Sequence, residues 1–389
     1  MAAASSTARQ PQPSAMSAGL AAPDAIIFYH IGKVGGGSVR RAFWQQACRA
    51  NATLTTLTKC QQASGRGDAR FGEFLLTNSN RRGLIHAPGR TYEGCLACPA
   101  LTPMAAALVC RSPPQSSRVV HMAHIRLGSE LGWLAAAART VVEQRAGHLR
   151  MPTTSPRTGY FGRAPRGSVS GTCGGATNGS SAFADLQQLN ARWPRLDANF
   201  GPLYAATRPH VARTVLLREP FAHLTSMYHC ERLTKRFACD NSSAIDVWAS
   251  EDARGNRALR REGGGVLCET TVRLCGVDCE PRFWAGARME SLFAQTEHNL
   301  RHTFDVVGVL ERLPRFYADI GRLHPALRNI QPPTKRAHEQ PSTRAKIACE
   351  AHWTSAQNRA RAQRESSIVA QLVRWHSVAL ERSGGPGGT

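Results

Sequence analysis

Phe28-Tyr-His-Ile-Gly-Lys-Val-Gly-Gly-Gly-Ser38 is the stretch that decides how this chain of 389 residues folds. Just before and into it runs Ala25-Ile-Ile-Phe-Tyr-His30, a short apolar run of the kind that forms a strand buried in a parallel sheet. After it, Ser38-Val-Arg-Arg-Ala-Phe-Trp-Gln-Gln-Ala47 has apolar residues on one helical face. Strand, glycine loop and helix in that order present successive backbone N–H groups and a helix N-terminus, worth about half a positive charge, to an anion. Lys33 lies inside the loop, where its ammonium can reach a phosphate oxygen. Gly35, Gly36 and Gly37 follow it, and Ser38 opens the helix as an N-cap, a ligand of the anion, or both. A glycine-rich turn with a capping serine is the plainer alternative, and the flanking strand, helix and lysine argue against it.

The strand-then-helix unit recurs. Strands are predicted at 118–124, 211–217 and 305–310, and helices at 220–233, 313–323 and 359–382. Such repetition implies an α/β fold with a mostly parallel sheet covered by helices. Residues 1–23 read as a disordered leader or targeting segment and 24–389 as one domain. An insertion at about 130–205 is interrupted by the Pro/Gly/Ser-rich run 150–182 and does not read as core. No internal repeat is present.

Composition sets the outer bounds. Hydrophobic residues make up 42% of the chain, enough for a sizeable core, so wholesale disorder is excluded. No period or apolar span fits collagen, a coiled coil or a polytopic membrane protein. The 49 Lys+Arg against 27 Asp+Glu give a net charge of +22, which points to nucleic acid, an anionic membrane, or a sulfated or phosphorylated ligand. Only five of these cations are Lys, and the excess of Arg, with abundant Ala and Gly, reads in part as coding bias.

Twelve cysteines, several closely spaced (Cys48/Cys60, Cys95/Cys98, Cys230/Cys239, Cys275/Cys279), suit disulfides in an oxidising lumen. Zinc would need more than Cys95-Leu-Ala-Cys98, and no second pair completes a tetrahedral set, so no metal is expected. Sequons at Asn51, Asn178 and Asn241 agree with a secretory lumen. Residues 1–22 lack an apolar core, so neither signal peptide nor anchor is read there, and membrane association would require a segment not visible in them. Their Ser/Ala-rich, acid-free composition also fits an organelle transit peptide, and a gene model lacking its first exon would look the same.

The loop does not fit the nucleotide-triphosphate pattern GxxxxGK[ST], because Lys33 precedes Gly35-Gly36-Gly37. No apolar strand ends in an Asp suited to Mg²⁺, which argues against an ordinary ATPase, GTPase or kinase. Instead, His30-Ile-Gly-Lys-Val-Gly-Gly-Gly-Ser-Val39 resembles the 5′-phosphosulfate loop of sulfotransferases that use 3′-phosphoadenosine 5′-phosphosulfate (PAPS). In the Golgi carbohydrate branch that loop commonly reads like HIPKTGGTS. Gly32 here replaces the Pro, and Gly37 replaces a Thr, which removes one hydroxyl.

Thr214-Val-Leu-Leu-Arg-Glu-Pro-Phe-Ala-His-Leu-Thr-Ser-Met-Tyr228 is similar to the same family's 3′-phosphate motif. Arg218 at a strand's end can grip a phosphate bidentately, and Ser226, two turns into the helix, can donate to the same group. Ala123-His124-Ile125 resembles the Gly-His-Val/Leu element of heparan sulfate and uronyl 2-O-sulfotransferases, with Ala for Gly, so the resemblance implies His124 as the base. An imidazole near its ordinary pKa of about 6.5 can take a hydroxyl proton at neutral pH. His121 and His124 point to opposite faces of a strand, so at most one faces the site. Cys275-Gly-Val-Asp-Cys279 resembles a small disulfide loop of the 2-O enzymes. Phe304-Asp-Val-Val-Gly-Val-Leu-Glu311 resembles one of their strands, with Leu310 at a common Thr position. Thr334, Lys335 and Arg336 follow Pro332-Pro333 where the family has a loop closing over the nucleotide, though a solvated basic loop reads equally well.

The resemblance covers about residues 25–48, 118–127, 211–240 and 265–380. It implies a P-loop-like sulfotransferase fold, PAPS as donor, no metal, an anionic or neutral glycan as acceptor, and a Golgi or secretory location. Two other classes stay open: a basic heparin- or nucleic-acid-binding protein on an inactive fold of this kind, and a related nucleotide kinase using Mg²⁺–ATP. No aromatic-interleaved RNA-binding motif is found, so no specific nucleic acid is expected.

Overall fold

The computed structural model describes residues 23, 25–50, 68–71, 74–77, 118–123, 127–128, 211–230, 266–275, 289–324, 327–333 and 344–384. The leader, the three sequons, Cys95 to Cys98, Cys279, His124, Thr334, Lys335, Arg336 and the insertion at 130–205 all lie outside the described residues.

Among the described residues four parallel strands form the main sheet: β1 (Ala25–His30), β4 (Arg118–Ala123), β5 (Val211–Leu217) and β6 (Val306–Val309), in the order β4-β1-β5-β6. A separate antiparallel hairpin pairs β2 (Asp68–Phe71) with β3 (Phe74–Thr77) and was not expected from the sequence. Among the described residues the helices are α1 (Gly36–Ala50), α2 (Pro220–Cys230), α3 (Val266–Cys275), α4 (Met289–His302), α5 (Leu313–Leu323), α6 (Arg344–Thr354), α7 (Ala356–Glu365) and α8 (Ser367–Arg382). The architecture is therefore α/β, a small parallel sheet flanked by helices.

The central strand explains why its sequence is apolar without alternation. Ile26, Ile27, Phe28 and Tyr29 are all fully buried, and successive strand residues face opposite ways, so both faces are covered. Phe28 meets Phe316 of α5 (ring centroids 6.1 Å apart), while Tyr29 meets Phe304 edge-on at 5.4 Å. Burying such side chains contributes about 1.5–3 kcal/mol each. Register is fixed by polar contacts as well. Arg213 N–H donates to the Asp305 carboxylate, Asp305 N–H returns a bond to the Arg213 carbonyl, and the Thr214 hydroxyl donates to the Ile27 carbonyl.

Two expectations change. The helix predicted over 359–382 is two helices, broken at Ser366, whose extended backbone (φ −122°, ψ 110°) ends α7 while its side chain accepts from Val369 N–H to cap α8. The strand predicted over 305–310 is confined to Val306–Val309, and Leu310–Arg312 forms a 3₁₀ turn leading into α5. Cys275 and Cys349 are both disulfide-bonded.

Candidate anion-binding site

Because the four strands are parallel, their C-terminal ends share one edge of the sheet. From that edge emerge the loop Ile31–Gly35, the pair Arg218–Glu219, and the turn Leu310–Glu311. The chain passes from β1 to β4 on one side, then to β5 on the other side of β1. The boundary between β1 and β5 is thus the point where strand order reverses, and open parallel sheets bind ligands outside the strand ends at such points. The loop and Arg218 belong to those two strands.

The loop has the backbone of an anion cradle. Lys33 is left-handed (φ 63°), and so is Gly35 (φ 91°), while Gly32, Val34 and Gly36 have negative φ. Alternation of this kind turns successive N–H groups toward one concavity. The Lys33 ammonium makes no hydrogen bond or ion pair among the described residues.

The reading of Ser38 as helix opener is corrected. Ser38 and Val39 N–H both donate to the Gly35 carbonyl (2.8 and 3.2 Å), so Gly35 caps α1, the helix begins at Gly36, and Ser38 stands in its first turn. Low helix propensity favoured a later start, but the left-handed turn at Gly35 already aims the chain along the helix axis. Ser38 is half-buried with its hydroxyl unpartnered among the described residues, so its role as a ligand remains a candidate. Gly36 is required for a different reason. A Cβ there would lie 2.0 Å from His30 Cδ2 and 2.1 Å from Nε2, because the His30 ring occupies that space.

The second motif reaches the first. Arg218 Nη1 donates to the Lys33 carbonyl at 3.1 Å. His223 on α2, buried to 4% exposure, lies 2.7 Å through Nε2 from the Gly32 carbonyl. A carbonyl only accepts, so His223 Nε2 carries the proton. Ser226, three residues further along α2, shares the face of His223, is half-buried, and makes no hydrogen bond among the described residues.

The segment carrying Arg218 is itself fastened from several sides. The Glu219 carboxylate caps α2 by accepting from Ala222 N–H (2.8 Å), and Arg359 of α7 reaches it at 3.4 Å. Glu219 N–H donates to Glu311 Oε1 (2.9 Å), and His376 of α8 lies 3.4 Å from Glu311 Oε2. Burial pushes the Glu311 carboxyl up, but hydrogen bonds from His376 and the Glu219 backbone prevail and hold it below its ordinary range. Phe221 stacks on Trp353 (5.3 Å), with the Arg359 guanidinium 5.2 Å from its ring.

Of the candidates read from sequence, Lys33, Gly35, Gly36, Gly37, Ser38, Arg218 and Ser226 lie on the two segments that meet at the β1/β5 boundary. His124 follows Ala123, the last residue of β4 and the partner of His30 in register, and is itself outside the described residues. Thr334, Lys335 and Arg336 follow Pro333, the last described residue of its segment. Sequence reading missed His223, Glu311 and His30 as parts of the site. His223 stands at a helical interval from Ser226, a periodicity that could have flagged it. No protein-family model matches the chain, and no curated protein matches it.

Proposed function

We propose that this chain transfers a sulfuryl group from PAPS to a hydroxyl of a carbohydrate, on a P-loop-like sulfotransferase fold. The supporting observation is the bond from Arg218 Nη1 to the Lys33 carbonyl, which joins two motifs 185 residues apart. One is a cradle of N–H groups with a lysine, and the other is an arginine followed by Ser226 on a helix. A donor with a phosphate group at each end of its ribose calls for two anion sites of this kind side by side.

In the reaction, the acceptor oxygen attacks sulfur as the bond from sulfur to the 5′-phosphate oxygen breaks in line. The products are a sulfate ester and 3′,5′-adenosine bisphosphate. His124 takes the acceptor's proton. Negative charge grows on the departing 5′-phosphate oxygen, where Lys33 and the loop N–H groups stabilise it, an effect typically worth about 3–4 kcal/mol per donor. Arg218 and Ser226 hold the 3′-phosphate and so align the donor. The family resemblance assigns Thr334, Lys335 and Arg336 to nucleotide binding as well. The net charge of +22 favours an anionic glycan as acceptor, and the disulfide-bonded Cys275 and Cys349 support a secretory, Golgi-type compartment.

The test is thermal stabilisation by 3′,5′-adenosine bisphosphate compared with ADP, followed by radiolabelled PAPS offered with a panel of glycans. Stabilisation by the bisphosphate alone, with label entering a glycan, is the expected result. Stabilisation by Mg²⁺–ADP instead favours a nucleotide kinase. No response to either nucleotide favours a basic binding protein.

A further inference from the structure

The two carbonyls held from the β5 side carry a consequence for the N–H groups behind them. In a trans peptide the carbonyl and the N–H of one unit point in opposite directions. His223 holds the Gly32 carbonyl at 2.7 Å, so the N–H of the same peptide, that of Lys33, is directed away from α2. Arg218 holds the Lys33 carbonyl in the same manner, and this directs the Val34 N–H. Lys33 meanwhile has φ 63°, a conformation that a residue with a Cβ avoids. Rotation of the Gly32–Lys33 peptide by about 180° would return Lys33 to negative φ and point its N–H the opposite way. Local preference therefore favours the flipped peptide, and Gly32, having no side chain, offers little resistance to it.

We infer that His223 is a positioning residue that latches the Gly32–Lys33 peptide, keeping the Lys33 N–H turned into the loop's concavity as a donor to the bound anion. The identity of that anion, the 5′-phosphate end of the donor, rests on the proposed function; the latch itself does not. The buried imidazole supplies one directed N–H at a fixed distance from the sheet, anchored on a helix whose first turn is fastened by Glu219. Its action is on the loop and it does not touch the reacting atoms. Protonation is not required, because the neutral Nε2–H tautomer already carries the donor.

The experiment compares full-length His223→Leu, which lacks a donor, with His223→Gln, whose side-chain amide can replace Nε2–H. Binding of 3′,5′-adenosine bisphosphate is read by calorimetry, alongside the melting temperature. The expected result is that His223→Leu melts near wild type but binds the bisphosphate about 10- to 100-fold more weakly, the range for one hydrogen bond to a charged group. His223→Gln should recover most of the affinity, a rescue that a purely space-filling role would not give. If His223→Leu does not fold, His223→Met, which also lacks a donor, replaces it. The second arm is a crystal structure of the donorless variant, expected to show Lys33 at negative φ. Unchanged affinity in a folded donorless variant, or Lys33 still left-handed there, overturns the latch. Failure of the wild type to bind the bisphosphate overturns the proposed function instead, and the crystallographic arm still decides the latch.

Discussion

Replacing Lys33 with Gly and, separately, with Ala should separate stability from activity. Both substitutions delete the ammonium, but only Gly removes the Cβ that makes φ 63° unfavourable. A left-handed residue with a Cβ costs roughly 1–2 kcal/mol. Gly returns part of this because its unfolded chain is freer, by about 0.4–1 kcal/mol. The difference leaves Lys33→Gly about 0.5–1 kcal/mol more stable than Lys33→Ala. For a domain of this size that is about one or two degrees in melting temperature. Transfer should fall by about 10²-fold or more in both variants, the usual effect of removing a donor to developing negative charge. Paired thermal melts and initial rates with saturating PAPS measure the two quantities. A Gly variant less stable than the Ala variant would refute the left-handed loop. Wild-type rates in either would refute Lys33 as donor.

Gly308→Ala should destabilise the fold by about 1–3 kcal/mol in urea unfolding, as overpacked cores do. Its Cβ would lie 2.3 Å from Phe316 Cδ2 and 2.9 Å from Phe316 Cβ, beside a ring that is fully buried; a variant as stable as the parent contradicts this packing. His124→Ala should fold and retain stabilisation by 3′,5′-adenosine bisphosphate while transfer drops by about 10²- to 10⁴-fold; an unimpaired rate would remove His124 as base. Stability should decline on acidification in two stages. His302 is pushed below 6.5 by burial, then by His298, Arg382 and Arg301, so the unfolded chain takes up its proton first and stability begins to fall as pH drops through 6.5. Glu297 and Glu311 are raised by burial but lowered further by their bonds to Arg374 and Arg301, and to His376 and the Glu219 backbone. Their contribution, full above 4.5, is lost as pH falls through the lowered folded values. Urea midpoints between pH 7 and pH 3 check the sign, and Glu311→Gln should flatten the lower limb; equal midpoints across the range contradict it.

The elements legible in the sequence are those whose signals are local. An apolar run without alternation predicted β1 at 25–30, and Val211–Leu217 and Leu313–Leu323 follow their sequence patterns to the residue. The misreadings also have local causes. Gly36-Gly37 looks like the end of a loop because glycine is a poor helix former, yet the turn at Gly35 starts the helix at once. The periodicity read over 359–382 spans Ser366, whose extended backbone ends one helix and whose side chain caps the next. Neither α3, α4 nor α6 was predicted.

What the sequence could not supply is the wiring between motifs. His223 reaches Gly32 across 191 residues, and Glu311 reaches Glu219 across 92. No spacing rule connects positions so far apart; only the strand order β1-β5-β6 brings their loops side by side. That wiring also alters the meaning of Arg218. Residue type and position at a strand's end suggested a phosphate ligand, whereas the structure gives its Nη1 a backbone acceptor in the glycine loop. A guanidinium carries five N–H donors in a planar fork, so a bond to the loop and a bond to a phosphate are not alternatives. One side chain can then fix the loop and receive the ligand, and replacing Arg218 should disturb both ends of the donor at once. Loss of Ser226 should weaken only the 3′ end, because its hydroxyl has no bond to the loop among the described residues.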